Sequence, residues 1–171
     1  MTVLSFFGRG RSGRASQFSA AATAVVIFLA LAASAALVGC DGQPALLPNS
    51  DTSLRKSSAM FAADAAKRHY PADAPRAGEA AARADYEPMI KQIDVVNLSD
   101  TDWEGVELWL NSKYVVFVPK MEKGMNKVIN YQMLFDDDGH HFDSDNGKNP
   151  VQKLELVREG KVYSVPLQLQ D

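Results

Sequence analysis

The densest collection of groups able to do chemistry lies between Asp136 and Gly147. There DDDGHHFDSDNG carries five aspartates and two of the three histidines. Carboxylates and imidazoles in one loop suit calcium or a transition metal, so His140, His141 and Asp143 are the candidate ligands. The spacing departs from a helix-loop-helix calcium loop, which sets a glycine at its sixth position and a glutamate at its twelfth. Counted from Asp143, Gly147 falls one position early and the twelfth residue is Leu154. His140 and His141 are adjacent, and adjacent side chains on a strand point to opposite faces. Solvated hairpin loops, with no metal and no cofactor, are the expectation.

Nucleophilic chemistry is thinly represented. The chain has no G-x-S-x-G elbow, no H-E-x-x-H pair and no glycine-rich phosphate loop. His140, Asp143 and Ser144 supply the types of a hydrolytic triad, but they crowd too closely along the chain to assemble one. No enzymatic activity is expected. One strong nucleophile is left, Cys40, the single cysteine in 171 residues. A lone cysteine excludes an internal disulfide framework and every multi-cysteine metal site.

The neighbourhood of Cys40 gives it a task. Residues 1–19 carry Arg9, Arg11 and Arg14 and no acid; residues 20–38 carry no charge; Gly39 and Cys40 follow. A basic start, an apolar run and a small-residue exit form the layout of a secretory signal peptide. The arginines favour the cytoplasmic face while the apolar run enters the bilayer. Its nineteen residues are also long enough, on length alone, for a permanent transmembrane helix. Leu37-Val38-Gly39-Cys40 resembles the lipobox of bacterial lipoproteins. The resemblance implies that residues 1–39 are a cleaved signal peptide, that the Cys40 sulfur receives a diacylglycerol, and that the protein resides in the cell envelope facing the periplasm or exterior. Its implied partners are the membrane, through lipidated Cys40, and an envelope protein or glycan.

The charge balance agrees with such a setting. The whole chain has a net charge of -3 and a pI near 5.6, which offers no basic field for nucleic acid. Cleavage before Cys40 would remove three arginines and no acid, leaving 15 basic against 21 acidic side chains. Anionic headgroups repel such a body, so the sequence predicts a domain standing off the membrane.

Residues 40–85 read as the spacer that achieves this. Positions 41–53, DGQPALLPNSDTS, are linker material, with an extended reach of roughly 40 Å. Residues 54–70 are alanine-rich and closed by Pro71, which predicts a helix. Ser53 and Asp51 are its candidate caps, and Met60, Phe61 and Ala65 form a narrow apolar stripe. That stripe suits a spacer, or a helix docked on a partner or on the domain itself. The Lys67-Arg68-His69 cluster near its end complements the helix dipole. A second short helix is expected from Pro75 to Ala84.

From residue 86 onward the period changes to two. Val106, Leu108 and Leu110 alternate with Glu107, Trp109 and Asn111, the mark of a strand with one buried face. Further strands are expected over 91–98, 114–118 (ended by Pro119), 127–135, 140–142, 151–158 and 161–169, with turns at Asn111-Ser112-Lys113, Asp136-Asp137-Asp138-Gly139 and Glu159-Gly160. Pro166 marks the last strand as an edge, or as one whose outer side lacks a ladder partner. Six or seven short strands at such spacing predict a mainly β, immunoglobulin-like antiparallel β-sandwich over residues 86–171. Its core would draw on Val106, Leu108, Leu110, Val116, Ile129, Met133, Leu154, Leu156, Val165 and Leu167. Trp109, on the polar face, and Tyr114 are candidate binding aromatics for a sugar or peptide; the competing reading packs Trp109 under the tether helix.

Two segments, MEKGMNKVI (121–129) and MLFDDDG (133–139), resemble the glycine loop, strand and aromatic-Asp turn of small extracytoplasmic immunoglobulin-like domains, including the FxLYD group. The resemblance implies fold and location and carries no activity; Met133-Leu134-Phe135-Asp136 is only a loose counterpart of the full motif.

Overall fold

The computed structural model describes residues 44–144 and 149–170. The expected signal peptide and Cys40 lie outside these residues. Among the described residues are nine strands: β1 (Arg76–Glu79), β2 (Ala82–Glu87), β3 (Gln92–Asn97), β4 (Trp103–Leu110), β5 (Tyr114–Met121), β6 (Asn126–Asn130), β7 (Leu154–Arg158), β8 (Lys161–Val165) and β9 (Leu167–Leu169). One α-helix, α1 (Ser58–Ala65), precedes them.

The strands form two sheets, ordered β1-β8-β7-β4-β5 and β6-β3-β2-β9. Hairpins β2–β3, β4–β5 and β7–β8 are antiparallel. The chain changes sheet after β1, β3, β5, β6 and β8, which interleaves the two layers of a β-sandwich. The core is built from both sheets: Ala82, Ala84, Ile93, Val95 and Ile129 face Val106, Leu108, Leu110, Val116, Leu154, Leu156 and Val165. Nine of the ten expected core residues are buried, and Leu167 is partly so.

The segment from Pro75 to Ala84 is not helical. It supplies β1 and the start of β2, each paired in parallel with a late strand, β1 with β8 and β2 with β9. Ala82 and Ala84 face the core with 4% and 0% exposure. Helix propensity is a weak prior, and pairing with the sheet overrides it. Pro119 does not end β5, which runs on to Met121. β5 is an edge strand, where a residue without an N–H is tolerated. At Pro166 the chain leaves one sheet and enters the other, splitting the expected last strand into β8 and β9.

The compact unit begins at Pro44, so the expected spacer is largely part of the fold. Leu47 N–H donates to the Lys56 carbonyl, and Asn49 Nδ2 donates to the Val128 carbonyl on β6 at 2.8 Å. Lys127, buried on β6, lies 2.6 Å from Asp51 and 2.8 Å from Glu122. Burial alone would lower the Lys127 pKa. The bonds to Asp51 and Glu122 outweigh it and hold the ammonium above its usual range. Leu54 is fully buried at the end of a short 3-10 turn, Thr52–Leu54, capped by Asp51. Helix α1 is shorter than expected and is capped by Ser57. Phe61 and Ala65 are buried, whereas Met60 turns outward. The helix packs on β5, so residues 49–65 close the side of the sandwich bounded by edge strands β5 and β6.

Candidate functional site

Residues 66–76 continue from α1 and cross the outer face of the larger sheet. Arg68 lies over the Phe117 ring of β5 at 4.4 Å and pairs with Glu107 of β4 at 3.2 Å. Tyr70 meets Trp109 of β4 edge-on, with ring centroids 5.4 Å apart. Arg76 Nη1 reaches Glu155 of β7 at 2.8 Å. The strap therefore crosses β5, β4 and β7 before β1 joins the far edge beside β8.

Trp109 is consequently buried at 2% exposure, although alternation places it on the polar face. Its Nε1–H donates to Glu107 at 3.0 Å. The competing expectation, a Trp109 packed under the tether, comes close. The covering residue is Tyr70, beyond the helix, rather than Met60 or Phe61. Tyr114 is also buried, edge-on to Phe142 at 5.2 Å, and its hydroxyl accepts from Asn149. Neither aromatic offers an exposed stacking face, which corrects their candidate role as binding aromatics.

Glu155 is the hub of the strap. Its carboxylate accepts from Tyr70 Oη (2.8 Å), Ser112 Oγ (2.6 Å) and Arg76 (2.8 Å), with Lys153 Nζ at 3.1 Å. Burial pushes its pKa up, but the hydrogen bonds from Ser112, Tyr70 and Lys153 prevail and hold it below the ordinary glutamate value. Tyr70 and Arg76 fasten the strap to β7 through this carboxylate, and Ser112 and Lys153 complete its hydrogen bonding. Sequence reading missed this cluster because its members lie far apart along the chain.

The Lys67-Arg68-His69 cluster lies beyond the last residue of α1, and each side chain approaches a carboxylate: Lys67 and Asp64 at 3.9 Å, Arg68 and Glu107, His69 and Asp137 at 3.8 Å. Arg68, Tyr70, Trp109, Ser112 and Asp137 line a shallow hollow of about 130 Å³.

In the aspartate-rich loop the two histidines part company, as alternation requires. His140 turns to Asp136, while His141 pairs with Phe135, with ring centroids 6.2 Å apart. The candidate ligands His140, His141 and Asp143 are not the set brought together; Asp136, Asp138 and His140 are, with ligand atoms within 4.8 Å of one another. Asp136 is buried and already engaged. It accepts from the His140 N–H at 2.8 Å and lies 3.3 Å from Lys113 Nζ. Burial raises its pKa, and the His140 and Lys113 bonds more than reverse that. Those bonds fix the turn through Gly139, whose N–H donates to the Asp136 carbonyl.

A larger hollow, about 320 Å³, opens where the β1–β2 link and residues 99–101 meet β7 and β8. Trp103, Tyr163, Arg158, Ser99 and Thr101 line it. The Arg158 guanidinium lies over Trp103 at 5.0 Å, and its buried Nε, without a hydrogen-bond partner among the described residues, lies 3.7 Å from Glu159 Oε1. No short motif announces this hollow, because three separate segments build it.

Comparison with family models, with curated proteins and with solved structures finds no match of any of the three kinds.

Proposed function

We propose that the chain is a lipid-anchored protein of the bacterial cell envelope, held through Cys40, whose sandwich acts in structural support or protein interaction and not in catalysis. The observation that carries this reading is Leu37-Val38-Gly39-Cys40, placed after three arginines and an uncharged run and holding the chain's single cysteine. A thiolate is the nucleophile that lipid transfer needs, and two or three acyl chains anchor a protein firmly where one does not. Among the described residues, no helix is long and apolar enough to cross a membrane. The reading therefore assigns membrane attachment to residues ahead of Pro44. The best-made polar cluster of the sandwich, around Glu155, spends its hydrogen bonds on the fold, which supports a non-catalytic role. Metabolic labelling with an alkyne fatty acid tests the anchor: wild type takes up label and Cys40→Ser does not. Equal labelling of the two would refute it.

A second reading, binding of a peptide or sugar, is favoured by the hollow at Trp103 and Arg158. A guanidinium Nε–H that makes no hydrogen bond among the described residues, with only Glu159 3.7 Å away, suits a ligand that brings a carboxylate or hydroxyl acceptor beside the aromatic face. Titration of the isotope-labelled protein with envelope glycan fragments and short peptides would move the Trp103 indole and Arg158 Nε–H resonances. Unmoved signals dispose of this reading.

A further inference from the structure

The segment ahead of α1 runs antiparallel to β6. Asn49 bonds to Val128 and Asp51 to Lys127, so Leu46 lies toward the Asn130 end of that strand. Two contacts agree: Leu46 bridges to Ser57, and the adjacent Ser58 lines one hollow with Gln132. At this same end Asn130 pairs with Gln92, the first residue of β3, and Tyr131 N–H donates to the Lys91 carbonyl. The chain therefore joins the sandwich at the end that carries the β2–β3 turn.

That turn, Pro88-Met89-Ile90-Lys91, has unusual chemistry. Hairpin tips favour Gly, Asn, Asp and Ser. Here Met89 is 94% exposed and Ile90 54%. Leu169, paired with Tyr86 beside the turn, is 55% exposed, and Leu46 is 59%. These are four large apolar side chains at one end of the domain.

We propose that the Met89-Ile90 turn inserts into the bilayer that holds the lipid anchor, so that the domain rests on the membrane by this end. The proposal rests on the lipid attachment at Cys40 argued above. The occupant follows from chain length. Residues 41–45 alone separate Cys40 from Leu46, and at ~3.3 Å per residue they reach about 17 Å, far less than the spacer expected from sequence. A tether that short keeps the tip at high effective concentration over the surface. Two apolar side chains too weak to bind a membrane alone then suffice, and the repulsion of an acidic body is overcome locally.

The test uses the full lipidated protein with a second cysteine at one of three exposed positions: Met89→Cys, Ile90→Cys, or Met125→Cys at the opposite end. Cys40 is blocked by its lipid, so an environment-sensitive fluorophore reacts at the new thiol alone. The proteins are placed in vesicles of phosphatidylethanolamine and phosphatidylglycerol, after mass measurement of the mature N-terminal peptide confirms acylation. Expected are a blue-shifted emission at 89 and 90 with quenching by spin-labelled acyl chains, and an aqueous signal at 125. Labels at 89 and 90 as aqueous as that at 125, on acylated protein, overturn this proposal alone. An unacylated N-terminus overturns both this proposal and the anchor. A shift at 89 and 90 seen in native envelope but absent in protein-free vesicles assigns the turn to a protein partner and likewise overturns insertion.

Discussion

Tyr70 donates its hydroxyl to Glu155 at 2.8 Å across 85 residues of chain, and its ring stands edge-on against Trp109. One tyrosine thus binds the N-terminal strap to β7 and seals a tryptophan of β4. The strap's bonds to β7, from Tyr70 and Arg76, both end on one buried carboxylate, so removing that carboxylate should loosen this half of the strap.

Glu155→Leu should destabilise the protein by about 2–3 kcal/mol, because it strands the Tyr70 and Ser112 hydroxyls. Tyr70→Phe removes one bond and should cost about 1–2 kcal/mol. The comparison is made by urea denaturation. In Tyr70→Ala the fluorescence of Trp109 should shift to the red as its cover is lost. A Glu155→Leu protein as stable as wild type would contradict the role assigned to the cluster.

A fragment of residues 86–171 should fail to fold, whereas residues 44–171 should fold cooperatively. The shorter piece lacks β1, most of β2 and the buried Leu54, Phe61 and Ala65. It also leaves Trp109 open to water. Dispersion of amide resonances in the two fragments decides the matter.

These boundaries show what a sequence conveys. The alternation of Val106, Leu108 and Leu110 was legible because one face of β4 meets the core. The Glu159-Gly160 turn was legible because both residues take positive φ, as such a hairpin requires. The alanines at 82 and 84 misled, since small side chains favour a helix in isolation and equally allow close packing in a strand. The Lys127–Phe135 segment begins as β6 and then tightens into a 3-10 turn, Tyr131–Met133. Its alternation breaks there, yet Tyr131, Met133, Leu134 and Phe135 all stay buried. The Glu155 cluster and the hollow at Arg158 depend on tertiary proximity, which no local spacing encodes.

Acidification should remove stability in a defined window. Asp51, Asp136 and Glu155 have pKa values held below their ordinary 3.8, 3.8 and 4.5 in the folded protein. Their contribution is therefore complete above those ordinary values and is lost as pH falls through the lower folded ones. The urea midpoint should fall below pH ~4.5, and less steeply in Glu155→Gln. Lys127 acts at the other extreme. Its raised pKa contributes stability that is complete below 10.5 and is lost as pH rises through the folded value.

Tyr131→Phe should leave the protein as stable or make it more so, by up to ~1–3 kcal/mol. The Tyr131 hydroxyl is buried without a partner among the described residues, and burial pushes its pKa up to about 12. Ultraviolet titration should show one phenol ionising late in the wild type, with that step missing from the variant. In the wild type the same group withdraws stability as pH climbs above 10.0, where the unfolded phenol begins to ionise.

The strap also fixes an order of events at synthesis. Tyr70 and Arg76 leave the ribosome well before β7 exists, and until Glu155 emerges the strap has only Glu107, Trp109 and Phe117 of β4 and β5 to close upon. Long-range closures of this kind are slow, and the waiting segment carries Phe61, Leu54 and Tyr70 uncovered. A chain cut short anywhere ahead of Leu154 cannot complete the latch to Glu155, which marks unfinished copies for capture by chaperones and proteases.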